Sequence, residues 1–504
     1  MYVLNVIRSI QVNLGLWILR DVLRNSMPAL KDLKENSSNK MNQIVNSKTF
    51  CIAPWHDIHI ITDGSFKGCC VMNGGPNKGH LQKDGKNLRI QDEGIRGAIN
   101  SDTSKDIRKS MMKGKWHPEC IRCQKEEKSG MTSMRLLYED RWEDKFTLED
   151  AISITDEDGS LSDKHEPFFY DMQLGNLCNL KCRICRPTVS SSWIPDYVKL
   201  TSSSTMGEDG SISIKHIKGK QYDLTPNPFS WAESDEFWEQ MSERKSNISN
   251  LYLIGGEPMM IHRHFDFLKE CIDSGDAKHI SLQYDTNLTN LPEKIMKYWS
   301  QFKETRIGFS IDGMGDELEY MRNPIKWKQM LKNIDIVDEF GYANKHKAID
   351  GPIVYDVVTV SIYNVLHVLD YIEWKIKAGK DSYKVLWKEH SSHFGVHPLH
   401  QPSNLCVQTM PYVAKIVINA KYSNWRTKML AWIDDLDTYT EYQTKESLKE
   451  SINMYVDTWL GFINQNDNSK EMPEFWNYTN KLDEIRGESF SDVFPQLNAL
   501  LKME

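Results

Sequence analysis

From about residue 166 the chain alternates between two hydrophobic periods, and this rhythm limits its possible folds more than any other feature. Apolar, β-branched runs recur at PFFYDMQLGN (167–176), NLYLI (250–254), HISLQYD (279–285), RIGFSID (306–312), IVYDVVTVSI (353–362) and YKVLW (383–387). Between them lie segments of helical spacing: HFDFLKECIDSG, PEKIMKYWSQF, IKWKQMLKNIDIVDEFG and VLHVLDYIEWKIKAG. Strands that alternate with helices predict βαβ units and a parallel sheet. About six such units suffice for a partial (β/α)6 TIM-like barrel and fall short of the eight of a full one. In such barrels the chemistry sits at the carboxyl ends of the strands.

The first of these strands leads directly into Cys178-Asn-Leu-Lys-Cys182-Arg-Ile-Cys185. Three thiols in eight residues cannot all pair with one another. The chain has ten cysteines, at 51, 69, 70, 120, 123, 178, 182, 185, 271 and 406, so eight of them fall between residues 51 and 185. In a chain of 504 residues with no secretion signal, such spacing points to metal or redox chemistry rather than disulfides. Soft thiolates suit both zinc and iron–sulfur clusters. Zinc with a fourth ligand from elsewhere is one reading of the triplet. A four-iron cluster with one iron left open to an outside ligand is the other. Cys271, in a helical pattern, and Cys406, in a connecting segment, read as ordinary packed thiols.

Charge and hydropathy narrow the function class. A net charge of −8 argues against a general polyanion binder, because phosphate contacts need clustered Lys and Arg. The apolar residues of the N-terminus are interrupted by Asn5, Arg8, Ser9, Gln11 and Asn13, so it reads as an amphipathic helix. No stretch approaches the ~18 continuous apolar residues of a membrane span, so the expectation is a soluble, cytoplasmic protein.

Five regions follow. Residues 1–47 form an N-terminal helical extension, and 48–140 a small cysteine-rich module. The acidic, turn-rich stretch 141–165 is a linker. The barrel occupies 166–400, with a Ser-, Gly- and Pro-rich insertion at 201–230 that is either a lid or an unordered excursion. A helical region follows at 401–504.

The triplet and three motifs at later strand ends resemble, in order, the signature of the radical S-adenosylmethionine (radical SAM) superfamily. Gly255-Gly256-Glu257-Pro258 resembles the glycine-rich motif that meets the methionyl amino group through backbone and Glu. Thr286-Asn287 resembles the third-strand TN motif, and Ser310-Ile311-Asp312-Gly313 the fourth-strand motif near the ribose. Arg322 stands where relatives contact the carboxylate. The resemblance implies that Cys178, Cys182 and Cys185 ligate a [4Fe–4S] cluster. Its open iron would chelate S-adenosylmethionine, so that a 5′-deoxyadenosyl radical abstracts a substrate hydrogen. An electron donor such as flavodoxin or ferredoxin is implied as well. The chain departs from the family pattern at Ile184, where relatives usually carry an aromatic residue.

A second cysteine set precedes the barrel. Cys51, Gly64 and Cys69 are followed by Trp116-His-Pro-Glu-Cys120-Ile-Arg-Cys123. The pattern is similar to a SPASM/Twitch-type auxiliary cluster domain of the shorter Twitch form, which in many relatives follows the barrel instead. The similarity implies a second [4Fe–4S] cluster on Cys51, Cys69, Cys120 and Cys123, with four-cysteine zinc as the alternative. Adjacent side chains on an extended segment point opposite ways, so Cys69 and Cys70 are not expected to bind the same ion, and the similarity, through the spacing from Gly64, points to Cys69. His56, His59 and His117 read as surface loop residues. Ser129, Gly130, Met131, Ser133 and Arg135 continue the module without a catalytic role. Full cysteine ligation favours electron transfer over substrate anchoring. The function expected is a radical SAM modifying enzyme acting on a peptide, protein or small metabolite, with nucleic acid a poorer substrate class. The alternatives are a non-catalytic zinc- or cluster-binding scaffold and a pure electron carrier, for which an open iron has no use.

Overall fold

The computed structural model describes residues 48–128, 132–201, 228–344, 353–387, 396–440 and 443–503, with the backbone alone of 205–206, 212–215 and 221–223. The expected N-terminal helix, Ser129, Gly130, Met131 and most of the 201–230 insertion lie outside the described residues. Between residues 202 and 227 the described backbone forms three short strands, Thr205–Met206, Ile212–Lys215 and Gln221–Asp223, which pair antiparallel.

A seven-stranded sheet organises the rest. In chain order its strands are β1 (Asp57–Ile60), β2 (Phe66–Lys67), β3 (Phe169–Gln173), β4 (Asn250–Ile254), β5 (Ser281–Thr286), β6 (Glu304–Phe309) and β7 (Ile353–Asp356). Their spatial order is β7-β6-β5-β4-β3-β1-β2. All neighbours run parallel except β1 and β2. Five of the six expected strands are therefore present and parallel, and the sixth expectation fails. Residues 383–387 form no strand, because the N–H groups of Lys384, Val385 and Leu386 all donate to the Asp338 carboxylate and wrap around it. The chain continues β7 as β8 (Val358–Val360), and that strand pairs in parallel with β9 (Val396–Pro398).

The cysteine-rich region is built into this sheet. Its strand β1 pairs along β3 from Asp57↔Phe169 to Ile60↔Met172. Its helices are α1 (Ile90–Ile99), α2 (Asp102–Met112), α3 (Ile121–Lys128) and α4 (Met134–Trp142). The stretch expected as a linker holds α5 (Leu148–Ile154), started by a reciprocal capping box between Thr147 and Asp150. Helices α6 (Asp235–Arg244), α7 (Arg263–Ser274), α8 (Glu293–Trp299), α9 (Gly315–Met321), α10 (Trp327–Asn344) and α11 (Val368–Asp381) connect the later strands. The C-terminal region is helical, with α12 (Tyr412–Asp434), α13 (Lys445–Gln465) and α14 (Met472–Arg486). Among the described residues no helix is long and apolar enough to cross a membrane.

The two-residue period of the strands gives the sheet two unlike faces. One carries Tyr170, Met172, Leu251, Leu253, Leu282, Tyr284, Ile307 and Phe309, all buried. On the other, the register aligns His59, Asp171, Tyr252, Gln283 and Arg306 across five strands. One pleat further on, Asp285, Gly308 and Tyr355 are aligned in the same way.

On the apolar face His264 of α7 is fully buried. Its Nδ1 donates to the Ile261 carbonyl at 2.5 Å, so Nε2 accepts from the Tyr284 hydroxyl at 2.9 Å. Burial holds its pKa down at about 3, against an ordinary 6.5. The unfolded chain therefore binds the extra proton between these values, and stability is lost as pH falls below 6.5. From pH 6.5 to about 5 the loss from this one group is about 2 kcal/mol. Denaturant midpoints at both pH values check this, and His264→Gln should shrink the difference by a comparable amount.

Candidate active site

The loop that carries the triplet leaves β3 at Gln173 and is fastened at each turn. Leu174 N–H donates to Ile254 O at 2.7 Å, Gly256 N–H to Gly175 O at 2.9 Å, and Glu257 N–H to Leu177 O at 2.8 Å. The glycines of the GGEP motif therefore admit neighbouring backbone first. A side chain at Gly256 would lie 2.2 Å from Leu177 O, and one at Gly255, where φ is +130°, 2.6 Å from Leu174 N.

The three thiols face one another at the end of this loop. Cys178 and Cys182 are buried and Cys185 is half-buried. The Cys185 thiol donates to Cys182 and lowers its pKa against the effect of burial, with Arg322 adding a favourable positive charge. The same bond, with burial, pushes Cys185 up, while burial takes Cys178 to about 12. Asn287 Nδ2 lies 3.9 Å from Cys178 Sγ, and Leu180 N–H points at the same sulfur from 3.4 Å.

The residues singled out at later strand ends converge here. Glu257 is buried, and its Oε1 accepts from Thr286 Oγ1 at 2.6 Å and Met259 N–H at 3.1 Å. Its Oε2 accepts from Asn287 N–H at 2.7 Å, so of the roughly four acceptor positions of a carboxylate one stays open. Burial raises its pKa to about 7, and these hydrogen bonds oppose the rise. Pro258 is buried and starts a short 3₁₀ turn. Ser310 is half-buried, and its N–H donates to Thr286 O at 2.9 Å. Asp312 is fully buried; Oδ2 accepts from Arg322 Nε at 2.8 Å and Oδ1 from Thr359 N–H at 2.8 Å. Burial alone would lower the Arg322 pKa, but Asp312 and the nearby thiols raise it overall.

The clamp beneath the triplet has no local signature in the chain. Arg183 is fully buried, with its guanidinium 3.5 Å from the Tyr320 ring centroid. Its Nη2 donates to Asp483 and Glu488, each at 2.5 Å. Around it, Tyr478 OH donates to Arg183 O at 2.6 Å, and Arg486 Nη2 to Lys181 O at 2.7 Å. The far side of the loop is tied to the 321–323 segment by Lys181 N–H to Asn323 O and Arg183 N–H to Met321 O, both 2.8 Å. Helix α14 and the residues just after it are thus the support of the cysteine loop.

In the N-terminal region Cys51, Cys69, Cys120 and Cys123 line one cavity with Trp116, Arg135 and Tyr138. Burial pushes the ionisation of all four upward, to about 12 for Cys120. Cys69 and Cys70 lie in a turn rather than an extended segment, yet they still diverge. Cys70 is exposed, and its sulfur lies 3.7 Å from Tyr138 OH. Gly64, at φ +78°, turns the chain between β1 and β2. Cys271 and Cys406 are buried apart from both sets. The histidines are not surface residues. His59 pairs with Asp171 at 2.9 Å, His56 stacks on Phe168 at 4.3 Å, and half-buried His117 caps Glu119 N–H at 3.2 Å. Ser133 caps α4, and Arg135 pairs with Glu127 at 2.8 Å. Among the described residues no three His, Cys, Asp or Glu side chains converge closely enough to hold a single metal ion.

Residues 172–361 match the family model described as the Radical SAM superfamily. The match spans β3 to the start of α11's approach and includes the triplet, GGEP, TN and SIDG segments. It stops short of the N-terminal cysteines and the C-terminal helices. That domain implies an enzyme with S-adenosylmethionine-dependent radical chemistry and a [4Fe–4S] cluster. No curated protein matches the chain significantly.

Removing the buried cation of the clamp leaves two carboxylates unpaired. Arg183→Met should cost about 3–5 kcal/mol in denaturant unfolding and lower the iron retained after anaerobic purification. Arg183→Lys should rescue neither, because a lysine cannot reproduce the forked contact.

Proposed function

We propose that the chain is a radical SAM enzyme with two iron–sulfur clusters, whose sheet forms a partial barrel around a substrate held on its polar face. The observation that carries the reading is the convergence of three thiols with Glu257, Asn287 and Arg322. The donor set fits the implied group. Three thiols that gather without a fourth protein ligand suit a four-iron cluster with one free position. A zinc ion, at about 2.3 Å from each sulfur, needs its ligands closer than any three here. Cys178, Cys182 and Cys185 would hold the cluster. With S-adenosylmethionine bound, it supplies a 5′-deoxyadenosyl radical through one-electron cleavage of the sulfonium C–S bond.

The chain's own residues do the positioning. Glu257 offers its remaining acceptor position to an ammonium group, and a cation beside it favours the ionised carboxylate that burial disfavours. Arg322, oriented by Asp312, offers charge to a carboxylate. Asn287 stands beside Cys178 and is itself fixed through Asn179 Oδ1 at 3.0 Å. Ser310 lies level with Asn287 on the polar face, where a ribose hydroxyl would be met.

The auxiliary set, Cys51, Cys69, Cys120 and Cys123, would hold the second cluster in a Twitch-type arrangement. Three buried thiols and half-buried Cys51, each penalised on ionisation by desolvation and by its neighbours, form a set that gains from a cationic group among them. Complete thiolate ligation leaves no position for substrate, so we assign it electron transfer, with flavodoxin or ferredoxin as the external donor. The substrate is a peptide, a protein side chain or a small metabolite.

Metal analysis of anaerobically prepared protein should give about eight irons per chain. Cys182→Ala should reduce this to about four and abolish 5′-deoxyadenosine formation. Cys120→Ala should lose the other half. Stoichiometric zinc without iron, or unchanged 5′-deoxyadenosine from Cys182→Ala, would overturn the assignment.

A further inference from the structure

At the amino ends of β4, β5 and β6, opposite the cysteine triplet, lies a cavity of about 240 Å³. Four cations line it, from two parts of the chain. Arg141 and Lys145 come from the end of α4 and the turn after it, and Lys303 and Arg306 from the start of β6. The one carboxylate in the lining is Glu304, and it pairs with Arg306 at 3.3 Å. Among the described residues Arg141, Lys145 and Lys303 make no ion pair, and all three are exposed to whatever enters.

This concentration of like charge is unusual for the chain, whose net charge is −8. Lys145 is held below its ordinary pKa by burial, then by Lys303 and Arg141. Arg141 is likewise lowered by burial and then by Arg306. Like charges that mutually disfavour one another are stabilised when an anion sits between them. Shape points the same way. Trp142 and Phe169 form an apolar wall, while Gln283 and Tyr252 continue the lining onto the polar face of the sheet.

We propose that this cavity binds an anionic group of the substrate, a carboxylate or a phosphate, and so anchors the substrate at the end of the sheet remote from the cysteine triplet. The distance to the reacting centre follows from register. From Ser281 to Asn287, or from Glu304 to Ser310, is six residues of strand, or about 20 Å. On the proposed function, the substrate is therefore elongated, with its acidic group about 20 Å from the carbon that loses hydrogen. Between the two ends it meets Tyr252, Gln283, Asp285 and Tyr355. Asp285 accepts hydrogen bonds from Tyr252 OH at 2.5 Å and Tyr355 OH at 2.6 Å. The anchor needs only the cavity; the 20 Å span rests on the radical SAM reading.

The test titrates the full-length, cluster-loaded protein with two probes, pyrophosphate and tri-glutamate, by anaerobic calorimetry at about physiological ionic strength. Saturable binding of at least one probe is expected, weakened tenfold or more in Arg141→Gln/Lys303→Gln. Lys428→Gln/Lys449→Gln, on the distant C-terminal helices, should bind as the parent does. Tighter binding of pyrophosphate identifies a phosphate source, and of tri-glutamate a carboxylate source. No saturable binding of either probe, or equal binding by both double variants, overturns the proposal. Iron content and 5′-deoxyadenosine are measured on the same preparations. Probe binding without either would remove the radical SAM reading and leave the anion site standing.

Discussion

The two-residue pleat of one parallel sheet is the constraint on which the rest of the molecule depends. It sends Tyr170, Leu251 and Leu282 into the apolar layer and, one residue later on each strand, Asp171, Tyr252 and Gln283 to the other side, where Arg306 of the next strand continues the row. Burying the first set provides the driving force for folding. The second set is thereby held in rows that no single strand could build. At the carboxyl ends the same register brings Thr286 and Phe309 level, so that Asn287 and Ser310 follow side by side near the cysteine loop. A one-residue slip in any strand would exchange the two faces, so packing of the apolar side also enforces the geometry of the polar side.

The cysteine loop needs more support than the sheet provides. It lies outside the ladder, and three of its eight residues are thiols whose ionisation burial opposes. Arg183 anchors it from below through two acidic side chains beyond the end of the chain's longest run of motifs. A buried cation is costly on its own, and here it is matched by Asp483, Glu488, the Tyr320 ring and the Tyr320 carbonyl. The C-terminal helices, which carry no recognisable chemistry of their own, thus gain a role in shaping the site.

Much of this was legible in the sequence, and the exceptions have physical causes. The five parallel strands and their helices followed from hydrophobic period. The residues of both cysteine sets and of the GGEP, TN and SIDG segments could be picked out, because each stands next to a strand end or a turn. Misreadings arose where a single side chain overrode local pattern. YKVLW alternates like a strand, but three of its N–H groups go to Asp338. The acidic stretch after residue 146 looks like a linker, but Thr147 and Asp150 cap a helix in it. Contacts between distant segments left no local trace: His59 finds Asp171 across 112 positions, and Arg183 finds Asp483 across 300. His56 and His59, which look like loop residues, are buried for the same reason.

Because β1 pairs with β3 from Phe169 to Met172, the cysteine-rich region and the parallel sheet share one continuous ladder. Cutting the chain between them would not release two modules. It would strip β3 of its partner on one side and leave a row of unpaired N–H and C=O groups on a strand whose side chains are largely apolar, an invitation to intermolecular pairing. Residues 48–165 are in that sense a selvedge: they finish the fabric's edge, and the enzyme cannot be trimmed back to its signature motifs without fraying.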